Sequence, residues 1–299
     1  GEEQGPTTYA DTKVWLDNVS IRKGNPLEFK ISGLDQVYKP AAGRVSALKY
    51  RLLQGDQQGT AVWSLIDSPA GVSIDQNGIV SMEDTLTAES FTIKAELNGS
   101  QTTKTVTVQP PILHNFDEFK LGDAPGGPWG TSYKSSVGVD NGNPFLNASG
   151  GGDYQARLQY SKPVASSGTL TIEARVRVPA GQGAGYVFAI IPYSGNWLCG
   201  PRLLEKADNL VWATDQNKDG VAGRVETAFT VPYGTWVPVR MVVDFENSVY
   251  TLYSDGQPVI ENYKLTNPAS PDNINLKGLV FNTQMDDLAI YSGTGAAVG

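Results

Sequence analysis

From Pro26 to Val108 apolar and polar residues alternate in short runs, each closed by a turn-forming cluster. Leu27-Glu28-Phe29-Lys30-Ile31, Ser46 to Leu52, Ala61 to Leu65, Phe91 to Leu97 and Thr103 to Val108 all follow the period of two that sets one face of a strand on a core. Between Val72-Ser73-Ile74 and Ile79-Val80-Ser81, the tetrapeptide Asp75-Gln76-Asn77-Gly78 predicts a turn, because Asn-Gly tolerates positive φ. After Pro111 the runs lengthen. Leu170, Ile172, Ala174, Val176 and Val178 fall on one face, and Glu173, Arg175 and Arg177 on the other. Tyr186 to Ile191, Leu210 to Thr214, Val237 to Phe245 and Val249 to Tyr253 continue the pattern, and Ser254-Asp255-Gly256-Gln257 turns the chain into Pro258-Val259-Ile260. Gly278 to Asn282 and Leu288 to Tyr291 complete it. No stretch keeps apolar residues at helical spacing over several turns, so the pattern predicts an all-β chain.

The alternation breaks at Gln109-Pro110-Pro111, and 299 residues exceed a typical single sandwich, so two domains are expected. The first occupies residues 25–109, a linker 110–112, the second and larger one 113–293, and a tail 294–299. Residues 1–24 belong to neither. Val14 to Ile21 has the shape of Gln284 to Tyr291, an apolar-acidic-apolar strand soon followed by Gly. That segment is expected to be the last strand of a preceding module, with a free-standing strand as the alternative.

Composition narrows the classes of partner. Charged residues make up only 18% of the chain, while 33 Gly and 18 Pro supply turns, which suits many short strands. The formal net charge is −8. The acidic excess is shared: residues 1–112 hold 10 Lys and Arg against 13 Asp and Glu, and residues 113–299 hold the other 13 against 18. Nucleic acids and anionic membranes need clustered cations, so the charge argues against both as partners. No segment approaches the ~20 apolar residues of a membrane span. Cys199 is the only cysteine, which removes an internal disulfide and a cysteine-based zinc site. The chain opens without Met, consistent with a mature or excised fragment.

Two stretches carry a resemblance. Ala61-Val62-Trp63-Ser64-Leu65, Ala70-Gly71-Val72-Ser73-Ile74-Asp75-Gln76-Asn77-Gly78-Ile79-Val80 and Thr103-Lys104-Thr105-Val106-Thr107-Val108 resemble the Ig-like repeats of secreted Gram-positive proteins, which space or present other modules. That resemblance makes Trp63 a core residue. Asn115-Phe116-Asp117-Glu118-Phe119, Ala156-Arg157-Leu158-Gln159-Tyr160, Thr169 to Val178, Gly234 to Val239 with Tyr250 to Gly256, and Met285-Asp286-Asp287-Leu288 resemble the concanavalin A-like, laminin-G-like jelly roll of carbohydrate-binding modules and some polysaccharide-active enzymes. Together they imply an Ig-like sandwich followed by a larger jelly-roll sandwich. They also imply a bacterial, secreted or cell-surface location, a monomer, and covalent linkage to further modules of a polysaccharide-degrading enzyme.

The sharpest local pattern is Asp215-Gln216-Asn217-Lys218-Asp219-Gly220-Val221-Ala222-Gly223-Arg224-Val225-Glu226, which fits the calcium-loop template D-x-N-x-D-G-x5-E. Asp215, Asn217 and Asp219 offer alternate side-chain oxygens, Val221 a carbonyl and Glu226 a bidentate carboxylate for a structural calcium. Against this stand the small Ala222 and the strand-like flanks, and the alternative is an ordinary polar hairpin loop. The jelly-roll resemblance implies a second candidate, Asp117 or Glu118 with Asp287.

Sugar recognition needs flat rings and planar polar groups. Trp129 and Tyr133 lie in a Gly/Pro-rich stretch, Tyr193 and Trp197 in a loop-like segment just before Arg202, and Trp212 on a strand. Arg157, Arg175 and Arg177 fall on polar strand faces, where they line the concave sheet and favour an acidic polysaccharide, or else pair with neighbouring acids. Trp236 follows a scaffold motif and reads as structural. No catalytic residue is assigned: the E-x-D-x-E strand of the glucanases is absent, Asp244 and Glu246 read as turn acids, and the single histidine, His114, sits beside the linker. The expected function is non-catalytic polysaccharide binding, with the first domain as spacer. The alternatives are a lyase or hydrolase in the jelly roll and an adhesive or structural surface module.

Overall fold

The computed structural model describes residues 29–55, 57–123, 129–133, 135–148, 156–165, 168–181, 185–192, 200–216, 218, 220, 222–265 and 275–297. The expected N-terminal segment 1–24 lies outside them, as do Tyr193, Trp197, Asn217, Asp219 and Val221. The described residues form strands and turns without a helix, as their period-two patterning dictates. In the first half the strands are β1 (Phe29–Ser32), β2 (Gln36–Tyr38), β3 (Arg44–Lys49), β4 (Arg51–Gln54), β5 (Val62–Ile66), β6 (Val72–Ile74), β7 (Ile79–Glu83), β8 (Ser90–Leu97) and β9 (Ser100–Gln109). There follow β10 (Ile112–His114), β11 (Trp129–Tyr133), β12 (Ser135–Asp140), β13 (Asn143–Ala148), β14 (Ala156–Ala165), β15 (Thr169–Arg177), β16 (Ala189–Pro192), β17 (Arg202–Glu205) and β18 (Leu210–Gln216). The last are β19 (Ala222–Val231), β20 (Val237–Asp244), β21 (Val249–Ser254), β22 (Gln257–Lys264), β23 (Asn275–Phe281), β24 (Gln284–Ser292) and β25 (Ala296–Ala297).

The first sandwich packs the sheet β2-β9-β8-β5 against β25-β3-β7-β6. Its core draws Val37, Trp63, Phe91, Ile93 and Val106 from one sheet and Leu48, Val80 and Met82 from the other. Burying each such side chain stabilises by ~1.5–3 kcal/mol. The Asp75–Gly78 turn closes β6 onto β7, with Asp75 Oδ1 accepting from the amides of Asn77 (2.8 Å) and Ile79 (2.9 Å). Those bonds, the Ile79 amide first, hold the Asp75 carboxyl below its ordinary range.

The second sandwich has an eight-stranded layer, β12-β13-β24-β15-β20-β21-β22 with β10 also on β24. Opposite it stand the sheets β11-β14-β23-β16 and β17-β18-β19. One continuous core lies between, with Ile172, Val176, Met241, Leu252 and Ile290 from the eight-stranded layer and Phe188, Ile190, Leu203, Trp212, Leu279 and Phe281 from the other. The alternation of β15 is realised: Leu170, Ile172, Ala174 and Val176 are buried, while Glu173, Arg175 and Arg177 point away from that core.

The outer face of the eight-stranded layer is where the first sandwich docks. Residues 294–299, read from the sequence as a tail, contain β25, which adds to β3 through Ala296↔Val45 and Ala297↔Arg44. Tyr38 and Ala41 pack on Ala289 and Tyr291. The Tyr38 amide donates to Ser292 Oγ (2.9 Å) and Ser46 Oγ donates to the Ser292 carbonyl, while within the second sandwich Thr171 Oγ1 donates to the Gly293 carbonyl (2.6 Å). Gly293 has φ +89°, and a Cβ there would lie 2.8 Å from the Ala47 carbonyl oxygen and 3.0 Å from its amide nitrogen. Only glycine lets the two backbones approach so closely. Glu173 is gripped between Arg44 Nε (3.0 Å) and Tyr291 Oη (2.6 Å), and burial, reinforced by Glu173, raises the Tyr291 hydroxyl.

Candidate functional site

Residues 185–189 join the two smaller sheets of the second sandwich. The Asn282 amide donates to the Tyr186 carbonyl (2.7 Å), the Leu203 amide to Gly185 (2.9 Å) and the Val187 amide to Pro201 (3.0 Å), and Tyr186 bridges to Arg202. A Cβ on Gly185 would sit 2.6 Å from Asn282 Cγ, so this stitching depends on a glycine. The segment thus stitches the sheet β11-β14-β23-β16 to the sheet β17-β18-β19, and their seven strands make one layer.

On that layer three polar side chains converge. Arg202 pairs in register with Ala213, two residues before Asp215 on β18, and alternation returns Asp215 to the same face. Arg202 Nη1 donates to Asp215 Oδ1 (2.8 Å) and Tyr186 Oη donates to Oδ2 (2.7 Å). The guanidinium lies 4.4 Å from the Tyr186 ring centroid, a cation–π contact. The Arg202 and Asp215 side chains keep 21% and 22% exposure, so the pair is held by its surroundings yet open to solvent. Arg202 Nε is buried with no hydrogen-bond partner among the described residues, a cost that folds retain chiefly where a site needs it. One donor of the five on the guanidinium is used in this ion pair, and each carboxylate oxygen has a second lone pair. The cluster is therefore a fixed set of planar donors and acceptors beside an aromatic ring.

The sequence assigned Arg202 to sugar and Asp215 to calcium; the fold makes them partners. The period of Tyr186 to Ile191 marks Tyr186 only as a strand residue, and nothing in it signals the bend at residue 187 that aims it at Arg202. At the far end of the calcium template, Glu226 is taken by Lys206 (2.7 Å), and Asn217, Asp219 and Val221 lie outside the described residues. Among the described residues no group of three or more His, Cys, Asp and Glu side chains is placed to hold a metal. In the second calcium candidate, Asp287 pairs with Arg175 (3.3 Å) and Asp117 accepts from Asn115.

The remaining candidates separate clearly. Trp129, Tyr133 and Arg157 lie on β11 and β14 of the seven-stranded layer, with Tyr133 opposite Arg157 in register. Tyr193 and Trp197 follow β16 in the chain, outside the described residues. Trp212 is corrected: it is fully buried in the central core, so no ring face is left for a sugar. Arg157 and Arg175 do not line one sheet, because β14 and β15 belong to opposite layers. Arg177 pairs with Asp140 and lies 4.5 Å from the Trp236 centroid, which makes Trp236 part of a structural stack with Phe145. Glu246 pairs with Arg51 (2.7 Å), and Asp244 caps the turn at Asn247 (3.0 Å).

Comparisons with known proteins bear on the fold. A family model described as the concanavalin A-like lectin/glucanases superfamily matches residues 149–295. No curated protein sequence matches the chain. Similar solved structures include a conserved carbohydrate esterase from Shiga toxin-encoding bacteriophage phi24B, 17% identical, with 55% of this chain and 90% of that one covered at a TM-score of 0.40. Another is the alginate lyase Aly36B, 10% identical, with 60% and 96% covered at 0.39. A third is the carbohydrate-binding module CBM66 from Bacillus subtilis, 14% identical, with 55% and 96% covered at 0.33. The class this defines is an all-β protein with a concanavalin A-like jelly-roll sandwich.

Proposed function

We propose that the chain is a non-catalytic polysaccharide-binding region of a secreted or cell-surface bacterial protein, and that the seven-stranded layer of the jelly roll carries its glycan site. The observation that supports this most is the Tyr186–Arg202–Asp215 cluster, whose two charged side chains each keep about a fifth of their surface in solvent. It supplies the preset planar hydrogen-bonding groups that sugar hydroxyls and carboxylates need, on the layer that also holds Trp129, Tyr133 and Arg157. The first sandwich, read as an Ig-like domain, serves as a spacer, and its docking through β25 makes the spacer stiff. Calcium enters this reading as a structural ion of the 215–226 loop. It must win Asp215 from Arg202 and Glu226 from Lys206, and a melting temperature that falls in chelator is its test.

The deciding experiment passes the whole chain over neutral and acidic polysaccharides while product release is followed. Retention without cleavage is expected, and Arg202→Ala should weaken it by at least ~10-fold, the effect of losing one charged hydrogen bond of ~1.5–3 kcal/mol. Release of oligosaccharides would make the jelly roll an enzyme. Undiminished retention by Arg202→Ala would move the site elsewhere.

A further inference from the structure

A second arginine-lined recess lies on the opposite layer. Where the eight-stranded sheet meets the first sandwich, a cleft of about 210 Å³ is bordered by Arg44, Glu173, Arg175, Arg240, Tyr253 and Asp287. Arg44 comes from the first sandwich and the others from the second. Three guanidinium groups face two carboxylates, an excess of positive charge in a chain whose formal net charge is −8. The acids are already matched: Glu173 with Arg44 (3.0 Å) and Asp287 with Arg175 (3.3 Å). Arg240 has no carboxylate partner among the described residues. Its Nη1 donates to the Gly295 carbonyl, and its guanidinium lies 4.1 Å from the Tyr253 ring centroid. A guanidinium fixed in this way loses little freedom on binding an anion, and its planar fork suits a carboxylate.

We propose that this junction cleft binds a single carboxylate-bearing sugar residue, with Arg240 as its anchor. Its volume falls below the ~300 Å³ at which pockets for larger ligands begin, so it takes one residue or chain end and not an oligosaccharide. Because Arg44 borders it, the site is complete only when the two sandwiches are docked. The glycan reading above supplies only the choice of a sugar as the carrier of the carboxylate; the cationic cleft stands independently of it.

The test is a titration of the full chain with sodium glucuronate, glucose and sodium acetate at constant ionic strength, followed residue by residue by NMR amide shifts. Saturable shifts around β20, β21 and β3 are expected with glucuronate alone. Arg240→Gln should weaken binding at least ~10-fold, and Arg240→Lys, which keeps the charge without the fork, by a smaller factor. Arg44→Gln should also weaken it, and provides the test should Arg240→Gln fail to fold. Lys94→Gln, which removes a cation paired with Glu96 on β8 and bordering neither site, should leave it unchanged. Acetate binding as tightly as glucuronate, equal response to glucose, or Arg240→Gln and Arg44→Gln both binding like the parent would overturn the proposal. Polysaccharide retention is scored separately on the same proteins, so its absence strikes the seven-stranded site and not this cleft.

Discussion

The two outer faces of the jelly roll use the same kinds of side chain for different ends. On the eight-stranded layer, Glu173 is 16% exposed and clamped by Arg44 and Tyr291, and Gly293 brings the backbone of one sandwich against the other. Charge there serves mainly to fix two modules in one arrangement. On the seven-stranded layer, Asp215 and Arg202 form a similar pair, but Tyr186 is its third member and about a fifth of each charged side chain stays in solvent. Exposure does not separate the two pairs, since Arg44 is 32% and Arg202 21% exposed. What distinguishes the second pair is that its tyrosine also packs its ring against the guanidinium, 4.4 Å from the centroid.

The largest effect that tests this contrast comes from adjacent positions on the seven-stranded layer. Trp212→Ala should cost ~3–5 kcal/mol, since it removes a fully buried indole from the central core. Arg202→Ala, on the other side of the same sheet, should cost less in stability and more in glycan retention. Urea denaturation of both variants measures the difference. If Trp212→Ala loses binding without losing stability, the inner and outer sides of this layer have been confused.

Next comes the junction. Gly293→Ala forces a left-handed backbone onto a residue with a side chain, at ~1–2 kcal/mol before any clash with Ala47 is counted. The expected outcome is undocking of the sandwiches, visible as faster proteolysis and a larger radius in small-angle scattering, with glycan retention on the seven-stranded layer preserved. Unchanged dimensions would mean that β25 and the Arg44–Glu173 pair hold the junction without the close approach.

Much of this architecture was legible in the pattern of the chain, because strand identity is local. The alternation of Thr169 to Arg177 and the Asp75–Gly78 turn are each decided within a few residues, and both appear as expected. What was not legible is long-range. Trp212 reads like any strand aromatic, and only the packing of the inner face of β18 against the eight-stranded layer puts it in the core. Arg157 and Arg175 look alike in sequence, yet the crossing from β14 to β15 sends them to opposite layers. Asp215 fits a calcium template by spacing, whereas its partners, Tyr186 and Arg202, are 29 and 13 residues away. Spacing along a chain records which ligands could share an ion, not which cation arrives first.

A smaller effect checks the exposed side of the eight-stranded layer. Arg175 and Asp287 are 44% and 53% exposed at 3.3 Å, so solvent screening leaves the pair worth ~0–1 kcal/mol. Asp287→Asn, which removes the charge but still tolerates the left-handed backbone there (φ +50°), should change the urea midpoint little. A loss as large as that of Gly293→Ala would show that this pair too pins the junction.

The subtlest effect is set by pH through the single histidine. His114 sits on β10 opposite Leu288 of β24, 6.2 Å from the Phe116 ring and nearly parallel to it. Burial pushes its pKa below the ordinary 6.5, with Glu118 opposing weakly. The unfolded chain therefore takes up a proton near pH 6.5, while the folded chain resists until a lower pH. Stability from this group is present in full above pH ~6.5 and declines as the pH falls through the folded value. The urea midpoint should thus drop between pH 7 and 5.5, a window above the usual carboxylate range, and the drop should vanish in His114→Leu even if that variant is less stable throughout. A slope that persists in His114→Leu would assign the loss to carboxylates and place the acid-sensitive element of this layer away from β10.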